Sequence, residues 1–241
     1  MTTTGRIIIT REQDLNSVWA AKLQMWGLPV LELPLLRFTA LAPAPEVIAG
    51  AFDWILFTSP QGVRAFFDAG LSVGNARLGT LGPGTARTLE EAGHADNLGI
   101  RAQDGRELAT TFVAMAQEGT RVLLPGPKLR GPEVEEILTA AGYEVTVAPL
   151  YETLPVPVEE LPEAPFAEGD VIFFCSPSTV RAFCAAWTQR PEAVAIGETT
   201  AAVMRQEGFA TRVAETPDLE AMIQAAGLDS HATPFTPESE S

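Results

Sequence analysis

Few residues in this 241-residue chain are able to run conventional catalysis. It has two cysteines, two histidines and two tyrosines, and 16 basic residues against 31 acidic ones, a formal net charge of −15. Two cysteines so close together, Cys175 and Cys184, are no disulfide framework, and with only His94 and His231 elsewhere they make no metal-ligand pattern. They read as small apolar packing residues. The acidic balance offers no basic footprint for nucleic acid. No run approaches the ~18 apolar residues of a membrane span. The opening "MTTTGRIIIT" lacks a basic start followed by a long apolar stretch and reads as a first strand, not a signal peptide. These absences suggest a cytoplasmic protein. Named motifs are missing too. "GPGTARTLEEAG" is not G-x-G-x-x-G, no P-loop lysine has the right spacing, and there is no G-x-S-x-G. Neither histidine is placed to serve a serine.

What is present is a long repeat. "ILFTSPQGVRAFF" (55–67) returns as "VIFFCSPSTVRAFC" (171–184), with Ser59 and Ser176 117 positions apart. At an offset of 115, "GRIIIT" (5–10) matches "TRVLLP" (120–125), and "GLPVLELPLL" (27–36) matches "GYEVTVAPLY" (142–151). At the same offset "TLGPGTARTLEEAG" (80–93) matches "AIGETTAAVMRQEG" (195–208). Such a period exceeds any solenoid unit and indicates two copies of a whole domain.

Apolar runs alternate with helical patterns throughout. Strands are expected at 6–10, 29–37, 53–58, 77–81, 97–100, 121–124, 144–152, 170–175, 193–196 and 210–214. Helices are expected at 12–26, 60–69, 84–92, 106–117, 131–141, 177–188, 199–207 and 217–226. "WILF" and "VIFF" are apolar on both faces, the mark of parallel strands covered on both sides. The fold class is therefore α/β, with two flavodoxin-like doubly wound parallel-sheet domains joined by a two-stranded linker. The repeat order makes one domain discontinuous: 1–35 with 155–227, five strands, interrupted by a second five-stranded domain at 40–150. The crossing segments 34–40 and 149–156 would pair as a short antiparallel ribbon, leaving a hinged cleft between the domains. Residues 228–241, polar and aperiodic, read as a disordered tail.

In open parallel sheets ligands bind beyond the carboxyl ends of the strands. Those ends carry Thr10 and Arg11; Thr58, Ser59, Pro60, Gln61 and Gly62; Gly82, Pro83, Gly84 and Thr85; Pro125, Gly126 and Pro127; Ser176, Pro177, Ser178 and Thr179; and Gly197, Glu198, Thr199 and Thr200. Hydroxyls and small residues at helix starts leave amide N–H groups free for anions. Each hydroxyl is also accounted for by ordinary N-capping, so the case for binding rests on the set. Tyr151, in the second crossing segment, is placed to donate a proton; alternatively it is a half-buried strand aromatic. Arg64 and Arg181, in the repeated "VRAF", read as exposed helix residues.

Together "FTSPQGVRAF", "LGPGTARTLEEAG", "PLYET", "FFCSPSTVRAF" and "AIGETTAAVMRQEGF", in this order, resemble uroporphyrinogen-III synthases over nearly residues 5–227. The resemblance implies a monomeric, cofactor-independent and metal-independent hydro-lyase. It would take linear hydroxymethylbilane, a small-molecule linear tetrapyrrole, expel its hydroxyl, invert ring D through a spiro intermediate and close the ring. It also implies that Tyr151 is the acid for hydroxyl departure. Ser59, Thr85, Ser176, Ser178, Thr199 and Thr200 would hold the acetate and propionate side chains. The turn "LLPGPKLRGPE" departs from the family by lacking an arginine directly after its strand, and offers Lys128 and Arg130 instead. The residues by themselves leave open a non-catalytic two-lobed binder of a small polyanion, or a flavin-binding pair of lobes.

Overall fold

The computed structural model describes residues 5–99, 102, 104–163 and 165–228. In chain order its strands and helices are β1 (Ile7–Ile9), α1 (Gln13–Met25), β2 (Val30–Glu32), β3 (Leu36–Ala40), α2 (Pro45–Ala49), β4 (Trp54–Phe57), α3 (Pro60–Asp68), β5 (Arg77–Thr80), α4 (Gly82–Glu91) and α5 (Gly105–Met115). There follow β6 (Arg121–Pro127), α6 (Glu133–Ala140), β7 (Glu144–Pro155), β8 (Val171–Phe174), α7 (Pro177–Ala186), β9 (Glu192–Ala195), α8 (Glu198–Gln206), β10 (Thr211–Val213) and α9 (Leu219–Ala225). The chain divides into two compact units: one breaks off at Arg37 and resumes at Leu154, and the other is Phe38–Thr153.

The interrupted unit holds a sheet in the order β10-β9-β8-β1-β2, every pairing parallel. Counted along that unit, this is the 2-1-3-4-5 order of a flavodoxin-like sheet. Its central strands alternate between two cores, as a period of two demands. Ile8, Ile172 and Phe174 pack under α7 and α8 with Val180, Phe183 and Met204, while Ile7, Ile9 and Phe173 pack under α1 and α9 with Leu23, Leu219 and Met222. The other unit repeats the scheme. Ile55, Phe57 and Leu123 meet Val63, Phe66 and Leu89 on one face, and Trp54, Leu56 and Leu124 meet Leu108, Phe112 and Leu138 on the other.

Local chemistry starts the helices at matching places. Ser59 and Ser176 are both extended N-caps (φ −156°, ψ 153° and φ −160°, ψ 157°), each followed by proline in the first helical turn. Ser59 Oγ accepts from Gly62 N–H at 3.0 Å, and Ser176 Oγ from Thr179 N–H at 3.2 Å. The side-chain oxygen satisfies an orphan amide, and proline occupies a position with no amide to lose.

The second sheet differs from expectation at both edges. Its order is β3-β7-β6-β4-β5, so the fifth strand is 36–40, not 97–100. The stretch read as one strand at 29–37 is β2 and the start of β3, broken at Leu33–Leu35. At the opposite edge, Asn97–Gly99 lies beside β5 without becoming a strand; Ile100 is outside the described residues. Asn97 N–H donates to the Leu78 carbonyl at 2.7 Å, but Leu78 N–H turns to the Asn97 side chain at 2.9 Å. Asp96 likewise takes Leu98 N–H and the Thr80 hydroxyl, each at 2.9 Å. Asn and Asp side chains compete with the backbone ladder and end it here. β3 and β7 run antiparallel: Leu41 N–H donates to the Leu150 carbonyl at 2.8 Å, and Val156 N–H to that of Leu35 at 2.9 Å. Pro125, Gly126 and Pro127, expected as a turn, still belong to β6, where the register against β7 shifts at Gly126/Pro127. The tail expected at 228–241 lies, from residue 229 on, outside the described residues.

A clamp holds the two chain pieces of the interrupted unit. Arg6 Nη2 meets Asp170 Oδ2 at 2.6 Å, Arg6 N–H donates to Asp170 Oδ1 at 2.8 Å, and Ala167 N–H to Asp170 Oδ2 at 2.9 Å. The Asp170 side chain is 3% exposed. Burial would raise its pKa; the Arg6 guanidinium, the two backbone N–H groups and the Arg6 charge outweigh that and hold it below the ordinary carboxylate value. A folded-state pKa below the unfolded one gives stability that is complete above the unfolded value, near 4, and lost as pH falls through the folded value. Asp170→Asn is therefore expected to cost about 1.5–3 kcal/mol at pH 7, the usual worth of hydrogen bonds to a charged group. The gap between wild type and variant should narrow below about pH 4; urea midpoints at the two pH values test both statements.

Candidate functional site

Because the strands within each sheet core are parallel, their carboxyl ends share one edge, and helices start along it. In the interrupted unit that edge carries Thr10 and Arg11 after β1, Ser176 and Ser178 after β8, and Thr199 and Thr200 after β9. Thr10 is fully buried, its hydroxyl donating to the Phe173 carbonyl at 2.8 Å. It is a rivet between β1 and β8 and not an open donor. Arg11 is half-buried: its N–H donates to Asn16 Oδ1 at 3.0 Å, and its guanidinium lies 4.7 Å from the Trp19 ring centre, a cation–π contact. Thr200 is buried, whereas Ser178 and Thr199 are exposed in the first turns of α7 and α8.

Both cysteines stay poor nucleophiles. Burial pushes the Cys175 thiol up to about 12, against a lowering by Arg11, and pushes Cys184 up to about 11. The thiolate is the reactive form, so neither residue supplies the chemistry.

In the other unit the edge carries Thr58, Ser59 and Gly62 after β4, Gly84 and Thr85 after β5, and the end of β6. Gly84 is exposed and Thr85 buried, both in the first turns of α4. Gly62 is where α3 comes close to β6: a Cβ there would stand 3.2 Å from the Pro125 carbonyl oxygen and 3.3 Å from Ser59 Oγ. Tyr151 belongs to the same edge, since its partner across the ladder is Pro127 at the end of β6. It is 5% exposed, more buried than a half-covered strand aromatic, with the Phe38 ring edge-on at 5.4 Å. Its hydroxyl lies 3.3 Å from Ser59 Oγ, and either oxygen is able to donate. A chain of polar contacts thus runs from the Gly62 amide through Ser59 to the phenol. Gln61, in the same helical turn, keeps Oε1 buried with no hydrogen-bond partner among the described residues. Of the arginines in the repeated "VRAF", Arg181 is exposed as expected, but Arg64 is half-buried.

Sequence reasoning missed a cavity of about 190 Å³ in this unit, lined by Thr58, Leu124, Pro125, Arg130, Glu133 and the start of α5 at Gly105, among others. The structure also separates the two cations that the sequence left equivalent. Lys128 Nζ is held by Glu152 at 3.1 Å, and Arg130 lines the cavity. The turn residues themselves gave no signal for this, because the fold-back of Arg130 is a tertiary contact: its Nη1 donates to the Leu124 carbonyl at 3.3 Å. Among the described residues no group of three or more His, Cys, Asp and Glu could hold a metal ion, and no helix is long and apolar enough to cross a membrane.

Two flavodoxin-like sheets within one chain, with capped helices along their carboxyl edges and a buried tyrosine beside one cap, define a two-domain α/β protein. The chain belongs to the uroporphyrinogen-III synthase family: the model for "Uroporphyrinogen-III synthase HemD" matches residues 17–224. Among curated relatives it is 28% identical to the chloroplastic uroporphyrinogen-III synthase of Oryza sativa subsp. japonica over 238 residues, 91% of this chain and 78% of the rice protein. It is also 28% identical over 238 residues to the porphyrin biosynthesis protein HemD of Ruminiclostridium josui, covering 90% of this chain and 47% of that one. The fold is similar to that of uroporphyrinogen-III synthetase from Helicobacter pylori, with a TM-score of 0.64 at 20% identity over 92% of this chain and 98% of the other.

The thiol shifts give a direct expectation. At pH 8 the folded protein should react with iodoacetamide at least about tenfold more slowly than the unfolded chain, whose thiols return to near 8.5. Mass-spectrometric counting of labels with time checks it.

Proposed function

We propose that this protein converts linear hydroxymethylbilane to uroporphyrinogen III, losing water and inverting ring D, as a cofactor-independent hydro-lyase acting as a monomer in the cytoplasm. Membership of the synthase family across both units carries the reading, and the Tyr151–Ser59 pair supports it. Ser59 Oγ already accepts the Gly62 amide. If it turns its own proton to the phenol oxygen, the Tyr151 proton is free to go to the departing hydroxyl. The carbon–oxygen bond then breaks and water leaves with that proton. The phenolate left behind is stabilised by the Ser59 hydroxyl and by the positive end of α3, nearby. A later proton loss from the rearranged product restores the phenol.

The hydroxyls and helix-start amides at the strand ends, Ser59, Thr85, Ser176, Ser178, Thr199 and Thr200 with the Gly62 and Gly84 backbone, hold the acetate and propionate groups. Arg11 adds a cation, while Thr10 and Thr58 shape the strand ends. Such groups act at short range and suit a chain of net charge −15, whose overall field repels a polycarboxylate.

The decisive assay supplies hydroxymethylbilane and separates the macrocycles formed. Type III product supports the reading; only the spontaneous type I product would overturn it in favour of a binder. Tyr151→Phe keeps the ring against Phe38 and removes the proton, so kcat should fall about 10²- to 10⁴-fold with little change in melting temperature. A kcat within twofold of wild type would leave Tyr151 a packing residue. Raising neutral salt from about 10 to 150 mM should leave kcat/KM level or higher, because screening damps the long-range repulsion beyond about 8 Å. A tenfold fall would mean that a concentrated basic patch carries the binding.

A further inference from the structure

The internal repeat raises a question about the second unit. At the offset of 115, Arg11 at the end of β1 corresponds to Gly126 at the end of β6, so the inserted unit has no cation where its twin has one. Arg130 reaches the place by another route. From beyond the strand its guanidinium folds back, Nη1 to the Leu124 carbonyl at 3.3 Å, into the wall of the 190 Å³ cavity beside Thr58 and Pro125.

We propose that Arg130 and this cavity form a subsite for a single carboxylate side chain of the tetrapyrrole. The assignment rests on the synthase reading above. The cavity is too small for a pyrrole chain, since ligand pockets for whole small molecules run from about 300 Å³ upward, and a carboxyethyl or carboxymethyl arm is of the right order. Its other walls suit an anion. α5 begins there at Gly105, where its dipole favours negative charge, although the Asp104 carboxylate already caps the helix by accepting the Glu107 amide at 2.9 Å. The carboxylate in the wall, Glu133, is engaged by Arg106 at 3.1 Å. In the structure Arg130 Nη2 meets Glu135 Oε2 at 2.9 Å, with the arginine side chain 20% exposed and the glutamate 46% exposed. Glu135, outside the cavity lining, holds one end of the guanidinium, so a substrate carboxylate in the cavity competes with it for the same donors. Glu135 itself is half-exposed and returns to water when displaced, so an incoming carboxylate exchanges for it and keeps the fork of donors that only arginine offers. Lys128, paired with Glu152, is not in the cavity wall.

Steady-state kinetics with hydroxymethylbilane on Arg130→Gln, Arg130→Lys and Glu135→Gln tests the subsite. Arg130→Gln should raise KM about ten- to a hundredfold, the loss of a charged hydrogen-bond partner, with kcat within about threefold of wild type; Arg130→Lys should recover part of the loss. Glu135→Gln should leave KM unchanged or lower it, because it removes a competitor. If Arg130 acts only by bracing its own loop through Glu135, the two variants will instead raise KM alike, and the subsite is overturned. An unchanged KM for Arg130→Gln, or a loss confined to kcat, overturns it equally. Wild-type protein that makes no type III product would sink the parent reading and the subsite with it, which separates the two failures.

Discussion

The discontinuous unit exists only if two stretches of chain 164 residues apart meet in register at the start of β1 and β8. Gly5 and Gly169 lie so close that a Cβ on Gly5 would fall 1.6 Å from the Gly169 carbonyl oxygen. Immediately after them Arg6 and Asp170 lock together through side chain and backbone. The inserted unit has the same device in weaker form: Arg121 N–H donates to Asp53 Oδ2 at 2.9 Å, but that pair is exposed. The longer loop, whose closure costs more entropy, is the one with the buried clamp. Every strand end that carries a candidate ligand group in the interrupted unit inherits its position from this register.

In both units the parallel register fixes where the strand ends lie. Parallel central strands buried on both faces put their carboxyl ends on one edge, and each must pass into a helix whose first amides lack partners. Ser59 and Ser176 satisfy those amides in the same geometry, one in each unit. At Ser59 the capping oxygen also touches Tyr151. A residue that caps a helix is thereby also in hydrogen-bond contact with a buried phenol. One oxygen serves both the helix cap and the tyrosine contact, so capping by itself does not decide the role of these hydroxyls.

The alternation of apolar runs with helical patterns, the doubled "VRAF" segments and the 115–117 offset were legible because they are local or periodic signals. Helix starts at Pro60, Pro177 and Glu198 fell within a residue or so of the structure for the same reason: Ser-Pro and Gly-Glu starts have their own chemistry. The antiparallel pairing of 34–40 with 149–156 was legible from the repeat, but not that β3 thereby becomes the fifth strand of the second sheet. At 97–99 Asn and Asp side chains divert the ladder of a segment whose apolar pattern reads as strand.

The sequence by itself determined the two-fold α/β plan, the interruption of one copy by the other, and the identity of the strand-end residues, because buried strands, capped helices and repeats are written in neighbouring residues. Only the tertiary structure decided which of those residues have spare bonding capacity. Thr10 uses its hydroxyl to tie β1 to β8, Tyr151 is buried against Phe38 with Ser59 at its oxygen, and Arg130, not Lys128, turns into the cavity. Each outcome depends on contacts between residues distant in sequence, whose geometry is set by packing and not by spacing along the chain.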